Sequence, residues 1–195
     1  MLRRPRRLAL TVAALCLLTA CTPTSTPTPS PAPGYRCTPE AGGDEFDCTP
    51  AQYDEMVAKD KLYAEAEAVY RRFLAEEDRI FRKGGVTTAT SVLKETTTGD
   101  FLAESLADYK SMAERNITVK GAAPSLVYFE RAPGRSKGGS VVSATVCVDG
   151  SSLEFFRSGK SLGQGRVYKD DTYFAEVEGA IKIIGADGSQ VKSCE

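Results

Sequence analysis

The hydrophobic period of this chain changes once, at Asn116, and that change confines it to an α+β fold. Before Asn116 the apolar residues recur at helical spacing. Leu62, Ala66, Val69, Phe73 and Ile80 form one stripe, and Tyr63, Tyr70, Leu74 and Phe81 broaden it. Thr49 can cap this helix, Pro50 suits its first position and Gln52 completes a capping box. Gly84-Gly85 ends it, and Lys59-Asp60-Lys61 marks a place where a bend would divide it into two. A second helix is expected from Thr98 or Gly99, with Phe101, Leu102, Leu106, Tyr109, Met112 and Ala113 on its apolar face. The Thr-rich residues 86–97 between them carry no clear period.

After Asn116 the pattern is that of strands. Ile117 to Val119, Ser125 to Glu130 and Val141 to Val148 are extended, with a turn or loop from Ala132-Pro133-Gly134 to Gly138-Gly139. Asp149-Gly150 is a hairpin signal leading into Leu153 to Arg157. After a loop at Ser158-Gly159-Lys160, strands are expected at Arg166 to Val177, Ala180 to Ile184 and Val191 to Cys194, completing an antiparallel meander. Helices followed by a meander, over residues 50–194, resemble the NTF2-like (SnoaL-like) cone. The resemblance implies N-terminal helices packed on a curved antiparallel sheet. The strand pair usual before the last helix of that family has little room in residues 86–97, and a cystatin-like helix-on-sheet fold is the alternative.

Residues 1–20 divide the chain further. Four arginines precede the apolar run Leu8 to Leu18, and small residues follow, the layout of an export signal. The run is 11 residues long, against about 20 for a membrane-spanning helix. Leu18-Thr19-Ala20-Cys21 resembles the bacterial lipobox. That resemblance implies acylation of Cys21 and a mature protein held on the outer face of the bacterial cell membrane through its lipid. It is similar in this to small lipoproteins of high-GC Gram-positive bacteria. Residues 21–36 then form the lipidated cysteine and a Thr/Pro-rich spacer. Proline favours polyproline II and packs no core, so this spacer would reach roughly 40 Å at about 3 Å per residue. Residues 37–195 remain as a single α+β domain.

Of six cysteines, Cys16 falls in the signal and Cys21 takes lipid. Cys37, Cys48, Cys147 and Cys194 remain, an even number in an oxidising compartment, and four cysteines allow three pairings. The expected pairs are Cys37–Cys48, local to a Gly/Asp-rich loop, and Cys147–Cys194, tying a strand to the C-terminus. The chain contains no histidine, which excludes Ser-His-Asp and Cys-His nucleophile systems and His-ligated metal; with no CxxC either, no metal or cofactor is expected. Losing a signal with four arginines and no acid takes the formal charge from −1 to −5, which speaks against nucleic-acid binding. Gly159-Lys160-Ser161 looks like the end of a P-loop, but Glu154 stands where its first glycine belongs. Asp170-Asp171 and Asp187-Gly188-Ser189 fit turn chemistry better than calcium ligation. The Asn116-Ile117-Thr118 sequon is a chance match in a bacterial chain. Glu65, Glu67, Glu76, Glu77 and Asp78, interspersed with Arg71, Arg72, Arg79 and Arg82, are expected on a solvated helix face.

The function expected from these features is a non-catalytic binding module at the cell envelope, contacting the membrane through its anchor and meeting an envelope protein or lipid ligand. The alternative is a small-molecule-binding or ketosteroid-isomerase-like cone. Members of that kind use a carboxylate base beside a tyrosine or protonated acid. Tyr63, Tyr70, Tyr109 and Tyr128, with Asp108, Glu130 or Glu176, are the residues that could supply such parts. An open apolar cavity with a buried acid beside a tyrosine would favour the alternative, and a filled interior the first reading.

Overall fold

The computed structural model describes residues 34–195. The expected signal, Cys21 and the spacer up to residue 33 lie outside the described residues. Two short antiparallel strands come first, β1 (Tyr35–Cys37) and β2 (Phe46–Cys48). The Cys37–Cys48 disulfide joins them, with Cα atoms 5.9 Å apart. β1 therefore starts inside the segment expected to be spacer.

Helix α1 (Pro50–Lys83) begins as its cap residues dictate. The Thr49 hydroxyl accepts from the Gln52 N–H at 3.3 Å, and the Gln52 side chain accepts from the Thr49 N–H at 2.9 Å. The expected bend at Lys59-Asp60-Lys61 is absent. No glycine or proline interrupts the helix there, and the polar side chains find partners on the strands. Lys59 donates to the Val141 carbonyl at 3.0 Å, and Asp60 pairs with Arg131 at 2.6 Å. The helix ends at Gly84, which adopts φ 84°.

The segment without a period contains a six-residue helix, α2 (Ser91–Thr96). Its cap, Thr90, accepts from the Leu93 N–H and donates to Glu76 at 2.6 Å. Leu93 is fully buried. Helix α3 (Gly99–Glu114) follows.

Seven strands complete the fold: β3 (Ile117–Gly121), β4 (Ser125–Arg131), β5 (Val142–Asp149), β6 (Leu153–Arg157), β7 (Lys160–Gln164), β8 (Val167–Val177) and β9 (Ala180–Val191). They form two antiparallel sheets, β4-β5-β8-β9 and β3-β6-β7, rather than one meander. The difference lies at Asp149-Gly150. It makes no hairpin, because β5 pairs with β4 and β8 while β6 pairs with β3 and β7. The Gly150 N–H donates to the Arg166 carbonyl at 3.0 Å, so this corner is tied to the start of β8 and sends the chain into the other sheet. True two-residue hairpins occur at Ser158-Gly159 and Glu178-Gly179, where all four residues have positive φ. The first of these is the segment that resembled a P-loop end.

Asp170-Asp171 and Asp187-Gly188-Ser189, expected as turns, lie within β8 and β9. Gly188 stands opposite Asp170, and its missing side chain leaves the space that the Asp170 carboxylate fills. β9 runs unbroken where two separate strands were expected, and Cys194 lies beyond its end.

The core forms between the apolar stripe of α1 and one face of the four-stranded sheet. Ala66, Phe73 and Ile80 meet Ala144, Val146, Phe174 and Ile183 there. The opposite face carries Cys147, fully buried and bonded to Cys194 with Cα atoms 5.8 Å apart. Both cysteine pairs expected from the sequence are thus disulfides, and the architecture is helices packed on antiparallel sheet.

Candidate ligand-binding cavity

A cavity of about 560 Å³ opens beside this core. Helix periodicity builds its first wall: from Tyr70, the residues Phe73, Leu74, Glu77 and Phe81 follow at i+3, i+4, i+7 and i+11 along one face of α1. Phe101, Ser105 and Asp108 of α3 repeat the spacing on the second wall. Strand alternation supplies the third, because Tyr168, Asp170 and Thr172 of β8 share one face. Leu153 and Phe155 of β6 close the end, where Gly165 and Gly150 meet. The Gly165 N–H donates to the Leu153 carbonyl at 2.8 Å, and a Cβ on Gly165 would collide with the Gly150 carbonyl. The aromatic walls are mutually packed. Phe73 lies 5.6 Å from Phe101, and Phe81 lies 5.8 Å from Tyr109 and 6.2 Å from Phe155, all between ring centroids.

Polar groups interrupt these aromatic walls on each side. Glu77 accepts a 3.0 Å hydrogen bond from the Tyr109 hydroxyl. Burial pushes its carboxyl up to about 7; the Tyr109 bond pulls it down, and the charges of Asp170, Asp108 and Asp78 push it up further. Burial also raises Asp170, with Asp171 adding to it. The hydroxyls of Tyr70 and Tyr109 are held above the usual phenol range, by burial first and then by the Glu77 charge. Thr172 is 1 % exposed, and its hydroxyl has no hydrogen-bond partner among the described residues. Glu77, Asp108 and Asp170 likewise have no ion-pair partner among the described residues. Arg166 lines the cavity too and donates to Gln190.

The structure gathers only some of the residues singled out in the sequence. Tyr70 lines the cavity, Tyr109 holds Glu77 in its wall, and Asp108 sits exposed on the lining. Tyr63 instead donates to Glu40 at 2.7 Å and lies under the Arg131 guanidinium, 4.7 Å from the ring centroid. Tyr128 pairs with Cys147 on the other face of the sheet, with Lys169 over its ring at 5.8 Å. Glu130 and Glu176 are exposed and line no part of the cavity.

The acids of α1 need a correction. Glu67 remains on the exposed face with Arg71, but Glu76 is 6 % exposed, with Arg79 bonded to its carboxylate at 2.6 Å and Thr90 donating to it as well. Those bonds hold its carboxyl below the ordinary range. Glu77 belongs to the cavity. A signal for it existed, since it stands four residues after Phe73 and four before Phe81. Asp170 had none beyond strand alternation. Among the described residues, no cluster of cysteines and carboxylates converges closely enough to hold a metal ion, and no helix is long and apolar enough to cross a membrane.

No family model and no curated protein matches this chain. Among solved structures, the chain is similar to the intermembrane space region of the chloroplast protein ARC6, at 16 % identity and a TM-score of 0.46, over 66 % of this chain and 95 % of that one. It is also similar to a de novo β-sheet design protein solved by NMR, at 16 % identity and a TM-score of 0.30, over 64 % and 88 % of the two chains.

Proposed function

We propose that this protein is an extracytoplasmic lipoprotein, anchored by acylated Cys21, whose NTF2-like cone binds a small molecule in the cavity between α1, α3 and the sheet. One observation carries the binding role: a cavity of about 560 Å³ in which aromatic walls are interrupted by three acids and by Thr172, whose buried hydroxyl has no partner among the described residues. Ligand pockets share that size, roughly 300–1,000 Å³. The two disulfides favour an oxidising compartment, in keeping with the export signal.

The test is uptake of the neutral probe N-phenyl-1-naphthylamine by the mature chain. The chain has no tryptophan, so the probe's emission is read without interference. Wild type should enhance and saturate that emission, and Ala186→Phe, which places a ring in the cavity, should abolish the effect while the fold persists by circular dichroism. Equal uptake by both proteins would refute the assignment.

A further inference from the structure

We infer that the cavity selects an organic cation: a molecule with an ammonium-type head on an apolar body. The inference rests on the binding role just proposed and specifies its ligand class.

Charge comes first. Glu77, Asp108 and Asp170 approach one cavity from three elements, and no cation among the described residues pairs with any of them. The buried and half-buried acids of α1 that do not line the cavity show the contrast: Asp60, Glu67, Glu76 and Asp78 each hold an arginine, and only the exposed Asp54 and Glu55 have no ion pair among the described residues. For Glu77 and Asp170, ionisation in a partly dry space is unfavourable unless a counter-charge arrives, and without one they hold a proton instead. An anionic ligand would meet Glu77 and Asp170 head-on, with Arg166 as its only opposing charge on the lining. A neutral ligand would displace water and leave the acids without a partner.

The Thr172 hydroxyl is the second, independent observation. Strand alternation puts it on the same face as Asp170, two residues away, and it is buried without a partner. An ammonium donates in three directions, so one head can serve a carboxylate and this hydroxyl together. The three acids do not form a metal-ligating cluster. The remaining walls, with Phe73, Phe81, Phe101 and Phe155 among them, suit an apolar and preferably aromatic body, and aromatic rings also attract cations.

Three ligands of one shape test the inference: 1-naphthylmethylamine, 1-naphthylmethanol and 1-naphthoic acid. Their emission is followed with the unacylated mature chain, whose compact unit Gly34–Glu195 contains the whole cavity. The amine should bind at least about tenfold more tightly than the alcohol, as one charge-assisted hydrogen bond in place of a neutral one implies. The acid should bind weakest. Glu77→Gln and Asp170→Asn should each weaken the amine by about tenfold and leave the alcohol unchanged. Glu77→Gln keeps an acceptor for Tyr109, so its fold is preserved, and Asp170→Asn gives a second reading on a different element. Equal binding of amine and alcohol, or preference for the acid, would overturn the cation inference while leaving the cavity as a binding site. Failure of all three ligands, together with no uptake of the neutral naphthylamine probe, would overturn both.

Discussion

Tyr109 on α3 donates its hydroxyl to Glu77 on α1 across 3.0 Å, joining the two helices through a carboxyl group in the cavity wall. Tyr109 is 2 % exposed, so loss of either partner strands the other in a dry place.

Glu77 should make stability fall with rising pH. Its carboxyl is raised in the folded chain from 4.5 to about 7. The folded state therefore holds a proton that the unfolded state releases. The associated stability is fully present below the unfolded value and is lost as pH rises through about 7. Glu77→Gln removes this dependence. It should be more stable than wild type by about 2–3 kcal/mol near pH 8 and little changed near pH 4. Urea denaturation at the two pH values measures the difference, and parallel profiles for the two proteins would contradict it.

Affinity for the naphthyl ammonium should rise with pH across the same window. A cation favours ionised Glu77, so below pH 7 its binding must expel a proton and weakens by up to about tenfold per unit. Glu77 faces Tyr70 and Asp78 from its own helix, Tyr109 and Asp108 from α3 and Asp170 from β8, with Arg166 on the cavity lining. The Asp170 carboxyl is raised too, by burial first and then by the Asp171 charge, and a cation likewise favours its ionised form. Titrations in two buffers of different ionisation enthalpy should report proton release, and Glu77→Gln should suppress most of it. Affinity independent of pH would count against Glu77 as the head-group contact.

The two disulfides should differ in weight. Cys147–Cys194 spans 47 residues and Cys37–Cys48 spans 11. Chain-entropy reasoning assigns them roughly 4 and roughly 3 kcal/mol. Cys37–Cys48 lies in the two-stranded sheet, outside the core cluster and joined to it through the Tyr63–Glu40 hydrogen bond, so its loss should unfold little beyond that hairpin. The paired Cys147→Ser and Cys194→Ser change should lower the global melting temperature the more, as calorimetry would show. The reverse order would mean that the N-terminal hairpin is a larger part of the cooperative unit.

Cys21→Ala should release the protein from the membrane fraction or block its processing, because stable anchoring needs more than one acyl chain. Fractionation followed by mass measurement of the N-terminal peptide reads the result. A correctly processed, membrane-retained variant would remove the lipidation assignment.

Local chemistry made much of this fold legible. Thr49, Pro50, Gln52 and Gly84 determine their helix ends within one turn, and Gly179, free to adopt positive φ, marks the turn from β8 into β9. What escaped depended on distant partners. Asp149-Gly150 has the composition of a hairpin, yet its hydrogen bond to Arg166 decides that it is a corner. Asp187-Gly188 has the composition of a turn, yet pairing with Asp170-Asp171 keeps it extended. The site divided along the same line. Tyr70 and Tyr109 were within reach of periodicity. Glu77 lies on the same stripe, but its neighbours Glu76, Asp78 and Arg79 give the segment the composition of a charged face and mask its position.

The meeting of Gly150 and Gly165 bears on how such a vessel can change over time. The β6–β7 hairpin closes one end of the chamber, and all five residues of β7 are exposed. The central core, by contrast, lies between α1 and the other sheet. One end is therefore set by a peripheral ribbon, whereas Tyr70 and Phe73 on the helix wall belong to the core itself. Replacements at Gln164, the β7 residue on the lining, are free to retune what the chamber admits without disturbing that core, whereas any side chain at Gly165 would push the ribbon off its seat and alter the floor in one step.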